Sequence, residues 1–334
     1  MNDASPLNIA ILSAAHGHAD SYAQALRATP GANLAGLWDD NAERGMSKAA
    51  HYGTAFESDL DRLLAKSDGV IICSENVHHR DLTIRAAQAG KHVLCEKPLA
   101  ISPTDARAML QACEQAGVLL GTAFPVRHAA GILSLRDAIR GGTLGQILML
   151  RGTNRGTMPG GWFVDRALSG GGALTDHTVH VVDAIRFITG EEFTTVYAEA
   201  DTHFYPELAV EDCGLLVMEL TGGGIVSLDP SWSRPNKAFP TWGDVTLELT
   251  GTQGVASFDY TAQHSTLYSN TRIRSAQLPW GESSDELMVA DFIQAIRTGR
   301  PPLASGEDGL RAVEVVTAAY ESVAQHQVAM VTHA

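Results

Sequence analysis

The chain of 334 residues has only four cysteines, no C-x-x-C pair, no run of lysines or arginines, and no apolar stretch near the roughly 18 residues of a membrane span. Each absence narrows the function. Cys73, Cys95, Cys113 and Cys213 are scattered, three of them inside apolar runs, so they read as reduced core residues. A net charge of −14 without basic clusters argues against nucleic acid and anionic membrane surfaces and leaves small-molecule chemistry. The opening MNDASPLNIAILSAA has no basic head, and its apolar part merges into a first strand. A cytoplasmic protein is expected.

What is present is a large apolar inventory: 45% hydrophobic residues and 32 glycines, enough for a sizeable core and two domains. Short apolar runs at Ile9–Ser13, Asn33–Trp38, Gly69–Cys73, Lys91–Cys95 and Val118–Ala123 alternate with helix-like stretches. That rhythm predicts parallel βαβ units. One connecting helix is marked at both ends: Ser102 as N-cap, Pro103 in the first turn, Asp105 near the positive end, apolar Ala106, Met109, Leu110 and Cys113, and Gly117 as the stop.

Beyond about residue 145 the period changes from helical to alternating. Val245, Leu247 and Leu249 share one face against Thr246, Glu248 and Thr250, and turns at Gly251–Gly254 and Gly222–Gly224 predict two hairpins. The expected fold is therefore α/β: a doubly wound parallel sheet over residues 1–124, then an α+β domain with an open, mainly antiparallel sheet over 125–334. Helical patterns at Asp285–Arg297 and Glu307–Gln325 are expected to pack back on either domain. The Val245–Leu249 pattern is apolar enough to predict a homodimer or homotetramer joined through this sheet.

The first βα turn, ILSAAHGHADSY, also lacks something: the three glycine positions of a dinucleotide fingerprint fall on Ser13, Ala15 and His18. Asp39 nevertheless ends the second strand, where a carboxylate binds ribose hydroxyls. Asp40 follows it, no arginine adjoins the pair, and NAD is expected over NADP. His16 and His18, two apart in a turn, face different ways and make a poor metal pair, so no metal is expected.

DGVIICSENVHHRDLTIRAAQAGKHVLCEKPLA resembles the signature of the Gfo/Idh/MocA oxidoreductases, in which a strand, an Asn-x-x-His turn, a helix and a second strand end in Glu-Lys-Pro. Asn76 and His79 match the turn, and Glu96, Lys97 and Pro98 match the motif. WFVDRALSGGGALTDHTVHVVDAIRFITG is similar to the family's glycine-rich entry to a helix bearing Asp-x-x-x-His, here Asp176 and His180. GTLGQI and DGLRAVEVVTAAYES extend the likeness over nearly the whole chain. The resemblance implies a nicotinamide domain with Ser13, Ala15, His18, Asp39, Ser74, Asn76, His79, Glu96, Lys97 and Arg127 about the cofactor. It also implies a substrate domain with Lys97, Asp176 and His180 as catalytic groups; Trp162, by its flat face, and His177, where the sequence departs from the family pattern, are further candidates beside the substrate.

Hydride transfer from a secondary alcohol calls for the same residue types: a group to take the hydroxyl proton and donors to hold the oxygen. Asp176 and His180, four apart, share one helix face; alternatively Asp176 caps the helix after the glycines. His177, which makes the motif DHTVH, either hydrogen-bonds within the fold or joins His180 and Asp183 about a cation. Trp162, Trp232 and Trp242 offer faces for a sugar ring or fill the core. Arg127, Arg166, Arg234 and Lys237 are candidates to bind an acidic substituent or the cofactor phosphates, with a solvated surface position as the alternative for Arg234 and Lys237. The substrate is expected to be a sugar, polyol or related compound. Glycosidase or lyase chemistry through transient oxidation, and non-catalytic sensing, share the same fold.

Overall fold

In the computed structural model, which describes residues 5–267, 276–279 and 281–333, the five apolar runs of the first half are strands with ends within two residues of expectation. They are Leu7–Leu12 (β1), Ala32–Trp38 (β2), Gly69–Ile72 (β3), His92–Cys95 (β4) and Leu120–Thr122 (β5). The helices between them are Ala19–Ala28 (α1), Ala42–Tyr52 (α2), Leu60–Ala65 (α3), His79–Gln88 (α4) and Pro103–Ala116 (α5). All four strand pairings are parallel, in the order β2-β1-β3-β4-β5. A single parallel bridge, Leu37 to Phe56, stands where a further edge strand beside β2 would lie.

The order reverses between β1 and β3, so the carboxyl ends of these strands form the crevice where such sheets bind ligands. α5 shows how local chemistry sets an element: Ser102 Oγ accepts the Asp105 amide at 3.1 Å, Pro103 lies in the first turn, and Gly117 closes the helix at φ 67°.

The second sheet is built from Ile147–Thr153 (β6), Phe193–Asp201 (β7), Cys213–Leu220 (β8), Ile225–Asp229 (β9), Thr246–Gly251 (β10) and Val255–Asp259 (β11). Preceding or between them run Ala130–Arg140 (α6), Arg166–Ser169 (α7) and Ala173–Thr189 (α8). A separate two-stranded sheet pairs His264–Leu267 (β12) antiparallel to Ala276–Pro279 (β13). Ser284–Thr298 (α9), Gly306–Gln325 (α10) and the short edge strand Ala329–Met330 (β14) end the chain. The sheet order is β11-β10-β6-β9-β8-β7-β14, antiparallel throughout except for β6 against β9. Both expected hairpins, β8–β9 and β10–β11, are present.

The molecule divides into two units. One is the described part of Met1–His128 with Ser283–Leu310; the other is Ala129–Glu282 with the described part of Arg311–Ala334, so the division falls inside α10. In the first unit α9 completes the core, its Met288, Val289, Phe292 and Ile293 packing with Tyr22, Ala25, Leu26, Ile9 and Ile11. In the second, the Val245–Leu249 stripe is itself core: Val245 and Leu247 are fully buried and Leu249 is 2% exposed. This corrects the expectation that the stripe forms an outer, self-complementary surface; its alternation reports the face turned inward. Met149, Tyr197, Leu215, Val217 and Ile225 are exposed instead. Among the described residues no helix is long and apolar enough to cross a membrane.

Candidate active site

Four strands of the first unit deliver their next residues to the same sheet edge: Ser13 after β1, Asp39 after β2, Ser74 and Asn76 after β3, Glu96 and Lys97 after β4. Ser13 stands at the first fingerprint position with φ 65°, the left-handed conformation for which a glycine is ordinarily chosen. Its hydroxyl accepts the Ala15 amide at 3.2 Å. The Ala14 amide donates to Asp39 Oδ2 at 2.8 Å, and the His18 amide to His16 Nδ1 at 3.2 Å. Side chains thus hold a turn that glycines would leave open. A Cβ added at Gly17 would meet nothing within 4 Å, so the backbone just ahead of α1 lies open.

Asp39 is 4% exposed, and its carboxylate also accepts from the Asn41 amide at 2.8 Å and from Arg44 Nε and Nη2 at 2.9 and 2.7 Å. Burial works to raise its pKa, but the Arg44 hydrogen bonds and the two amides prevail and hold it below the usual carboxylate value. Asp40 is displaced upward, by burial and by its neighbour Asp39. The expectation that no arginine adjoins this acidic pair is therefore corrected. Arg44, in the first turn of α2, folds back to reach Asp40 at 2.8 Å, Glu75 at 3.3 Å and Ser13 Oγ at 3.3 Å as well.

Glu96 is fully buried. Its Oε1 accepts the Tyr22 hydroxyl at 2.5 Å and His18 Nδ1 at 2.9 Å, and its Oε2 accepts the Lys97 amide at 3.0 Å. Burial would raise the carboxyl's pKa; the charges of His16 and His18 and the His18 hydrogen bond place it well below the ordinary value. His18 is shifted up for the reciprocal reason, Glu96 overcoming the effect of burial. The expectation that His16 and His18 face different ways is corrected: their ring centroids are 4.2 Å apart, and with Glu96 their potential ligand atoms lie within 4.8 Å of one another. The His18–Glu96 separation of 2.9 Å is a hydrogen bond, so the trio is already a bonded network. Lys97 is 4% exposed, and the Lys97–Pro98 peptide is cis.

Two residues expected about the cofactor have other work. His79 is fully buried, with Nδ1 2.9 Å from the Pro98 carbonyl and Nε2 3.3 Å from that of Ser74. It ties the turn after β3 to the Glu-Lys-Pro segment. Arg127, 4% exposed, donates to the Leu303 carbonyl at 2.8 Å and pairs with Asp308 at 2.9 Å. The paired guanidinium and the Ser305 hydrogen bonds overcome burial and bring Asp308 down to about 2. Nη1 and Nη2 of Arg127 thus brace the fold through a carbonyl and a carboxylate.

In the second unit α8 carries Asp176, His177, His180 and Asp183. Its N-cap is Gly172, so the capping alternative for Asp176 is corrected: Asp176 Oδ2 instead accepts the Trp232 indole N–H at 3.2 Å and lies 3.3 Å from His177 Nε2. His177 Nδ1 faces the Pro230 carbonyl at 3.0 Å. His180 is 6% exposed and Asp183 fully buried; among the described residues, His177, His180 and Asp183 form no convergent ligand group.

Trp232 is fully buried, packed with Ala173 and Val210, which removes it from the aromatic faces open to a sugar ring. Trp162, half-buried and stacked on Phe163, and Trp242, exposed and 6.1 Å from the His177 ring, remain available. Arg234 is paired with Asp244, Arg166 lies 3.7 Å from Glu211, and Lys237 is exposed.

Sequence reasoning missed Arg44, Tyr22, Glu211 and Tyr320. The available signals were a tyrosine whose hydroxyl needs a partner inside a core helix, and an acidic pair set in the apolar run before β8.

Comparison with known proteins agrees with this fold. Residues 7–124 match the model of the oxidoreductase family with an NAD-binding Rossmann fold, and residues 132–257 match the GFO/IDH/MocA C-terminal domain. A 1,5-anhydro-D-fructose reductase of Ensifer adhaerens is 32% identical over 317 residues, 91% of this chain and 92% of its own. A myo-inositol 2-dehydrogenase of Thermotoga maritima is 30% identical over 273 residues, 77% of each chain. The crystal structure of GenD2 from gentamicin A biosynthesis, in complex with NAD, superposes with a TM-score of 0.89 at 26% identity over 100% of this chain and 98% of that one. With both halves matched in order, the chain belongs to the GFO/IDH/MocA oxidoreductases, a Rossmann domain that binds NAD followed by the family's C-terminal domain.

Proposed function

We propose that this oxidoreductase oxidises or reduces one hydroxyl carbon of a sugar or polyol, with NAD preferred over NADP. The observation that carries the reading is the convergence of Ser13, Asp39, Glu96 and Lys97 at one sheet edge, beside open space at Gly17. Asp39 stands just past the end of β2, the ribose position of such folds; the Ala14 and Asn41 amides and Arg44 Nε and Nη2 already engage its carboxylate, so a ribose hydroxyl takes over a place that Arg44 holds. Three carboxylates, Asp39, Asp40 and Glu75, surround the single Arg44 guanidinium, so that edge is net acidic and repels a 2′-phosphate. Bound NAD supplies the hydride acceptor or donor. Within the protein, Lys97 donates to the reacting oxygen and His180 takes its proton during oxidation, while Asp176, held by Trp232, orients a neighbouring hydroxyl.

The names of the relatives, a reductase of an anhydro-sugar and an inositol dehydrogenase, support this substrate class. We expect reduced-cofactor absorbance to appear with NAD across part of a panel of sugars, inositols and glycosides, and kcat/KM with NAD to exceed that with NADP. Hydrolysis or elimination without net reduced cofactor would replace the dehydrogenase with transient-oxidation chemistry; equal or better kcat/KM with NADP would refute the preference.

The same reading includes a cytoplasmic location and a homodimer or homotetramer formed through the exposed face bearing Met149, Tyr197, Leu215, Val217 and Ile225. Light scattering is expected to give at least twice the monomer mass at about micromolar concentration; a monomer there removes the oligomer.

A further inference from the structure

The head of α8 is held by a residue from far along the chain. The first amides of any helix have no partner within it, and α8 begins at a glycine with no side chain to cap them. Glu211, 7% exposed and just ahead of β8, serves three in succession. Its Oε1 accepts the Gly172 amide at 2.8 Å and the Leu174 amide at 3.2 Å, and its backbone carbonyl accepts that of Ala173 at 2.9 Å. The Tyr320 hydroxyl donates to the same Oε1 at 2.6 Å and lies 2.8 Å from Thr175 Oγ1. No side chain fits in this joint: a Cβ on Gly172 would stand 2.0 Å from the Glu211 carbonyl oxygen, and one on Gly171 2.0 Å from the Tyr320 hydroxyl.

The adjacent Asp212 reaches the same residue by another route. Its carboxylate gathers the amides of His203, Phe204 and Tyr205, and its carbonyl accepts the Trp232 amide at 2.8 Å, while Trp232 in turn donates to Asp176. The Glu211–Asp212 dipeptide therefore fixes the backbone turn that carries Asp176 and anchors the tryptophan that holds its carboxylate.

We infer that Glu211 is a positioning residue for the reaction, setting the first turn of α8 and with it the placement of Asp176 and His180; this rests on the roles proposed for those two residues. A displacement of about 1 Å at a reacting group can cost roughly 100-fold in rate. Glu211→Ala is accordingly expected to lower kcat by about 10- to 100-fold, with NAD affinity unchanged and substrate KM moved little. Glu211→Gln, whose amide oxygen still accepts from Gly172, Leu174 and Tyr320, is expected to restore most of that loss. Tyr320→Phe, which removes one donor and no volume, is expected to fall between them and serves as the reporter if the alanine variant does not fold.

The inference is overturned if Glu211→Ala is folded at the assay temperature by circular dichroism and keeps kcat within about twofold of the parent, beneath the loss expected for a displaced group. It is equally overturned if Glu211→Gln loses as much as alanine, or if the reporter Tyr320→Phe shows no loss. Should Lys97→Met and His180→Asn also keep full activity, the proposed chemistry fails; if those two are inactive and Glu211→Ala is not, the positioning role fails alone.

Discussion

Lys97→Met is expected to lower kcat for oxidation of the true substrate at least about 100-fold, the lower end for losing a positioned proton-transfer or donor group. Methionine keeps the unbranched stem that lets Lys97 pack at 4% exposure, and the backbone amide that donates to Glu96 Oε2 is untouched. The change thus isolates the ammonium group. NAD affinity, measured by fluorescence titration, is expected to stay within about threefold, because an interaction made mainly in the transition state leaves ground-state binding nearly unaltered. Near-normal kcat in a folded variant would remove Lys97 from the chemistry.

His180→Asn is expected to lower kcat by a similar factor and to change the shape of its pH dependence. An imidazole accepts a proton only once it is neutral, so oxidation by the parent should accelerate as pH rises through the range in which His180 loses its proton. Asparagine does not titrate in this range, and the variant profile should be flat there. Asparagine fits the slot, since His180 is 6% exposed within α8 and a shorter polar side chain adds no volume to its packing. If the alkaline rise survives in the variant, the proton goes to another group.

Much of the fold is legible because it is periodic. Alternation from Val245 to Leu249 and the apolar runs of β1 to β5 each predict an element and a buried face from neighbouring residues alone. The caps of α5 are legible for the same reason, every partner lying within a few positions. The site is legible only where a motif names it. Arg44 reaching Ser13, Tyr22 reaching Glu96, and Glu211 reaching Gly172 span 31, 74 and 39 positions, and no local pattern encodes those encounters. For Trp232 the sequence leaves a stacking face and a core position equally open; the core position holds, and its buried indole N–H, which requires an acceptor, finds Asp176.

The turn after β1 has a bearing on how this sequence can change. Ser13 Oγ serves both the Ala15 amide and Arg44, and Arg44 also binds Asp39, which holds the Ala14 amide. Putting glycine at position 13 relieves a left-handed serine but removes an acceptor from two partners, and removing Arg44 leaves three acidic side chains facing one another. Effects of such substitutions are non-additive because the residues share partners. The side-chain-tied turn and the glycine fingerprint are therefore two separated solutions on the mutational landscape. A replacement toward the glycine fingerprint has an effect that depends on which of Ser13, Asp39 and Arg44 has already changed.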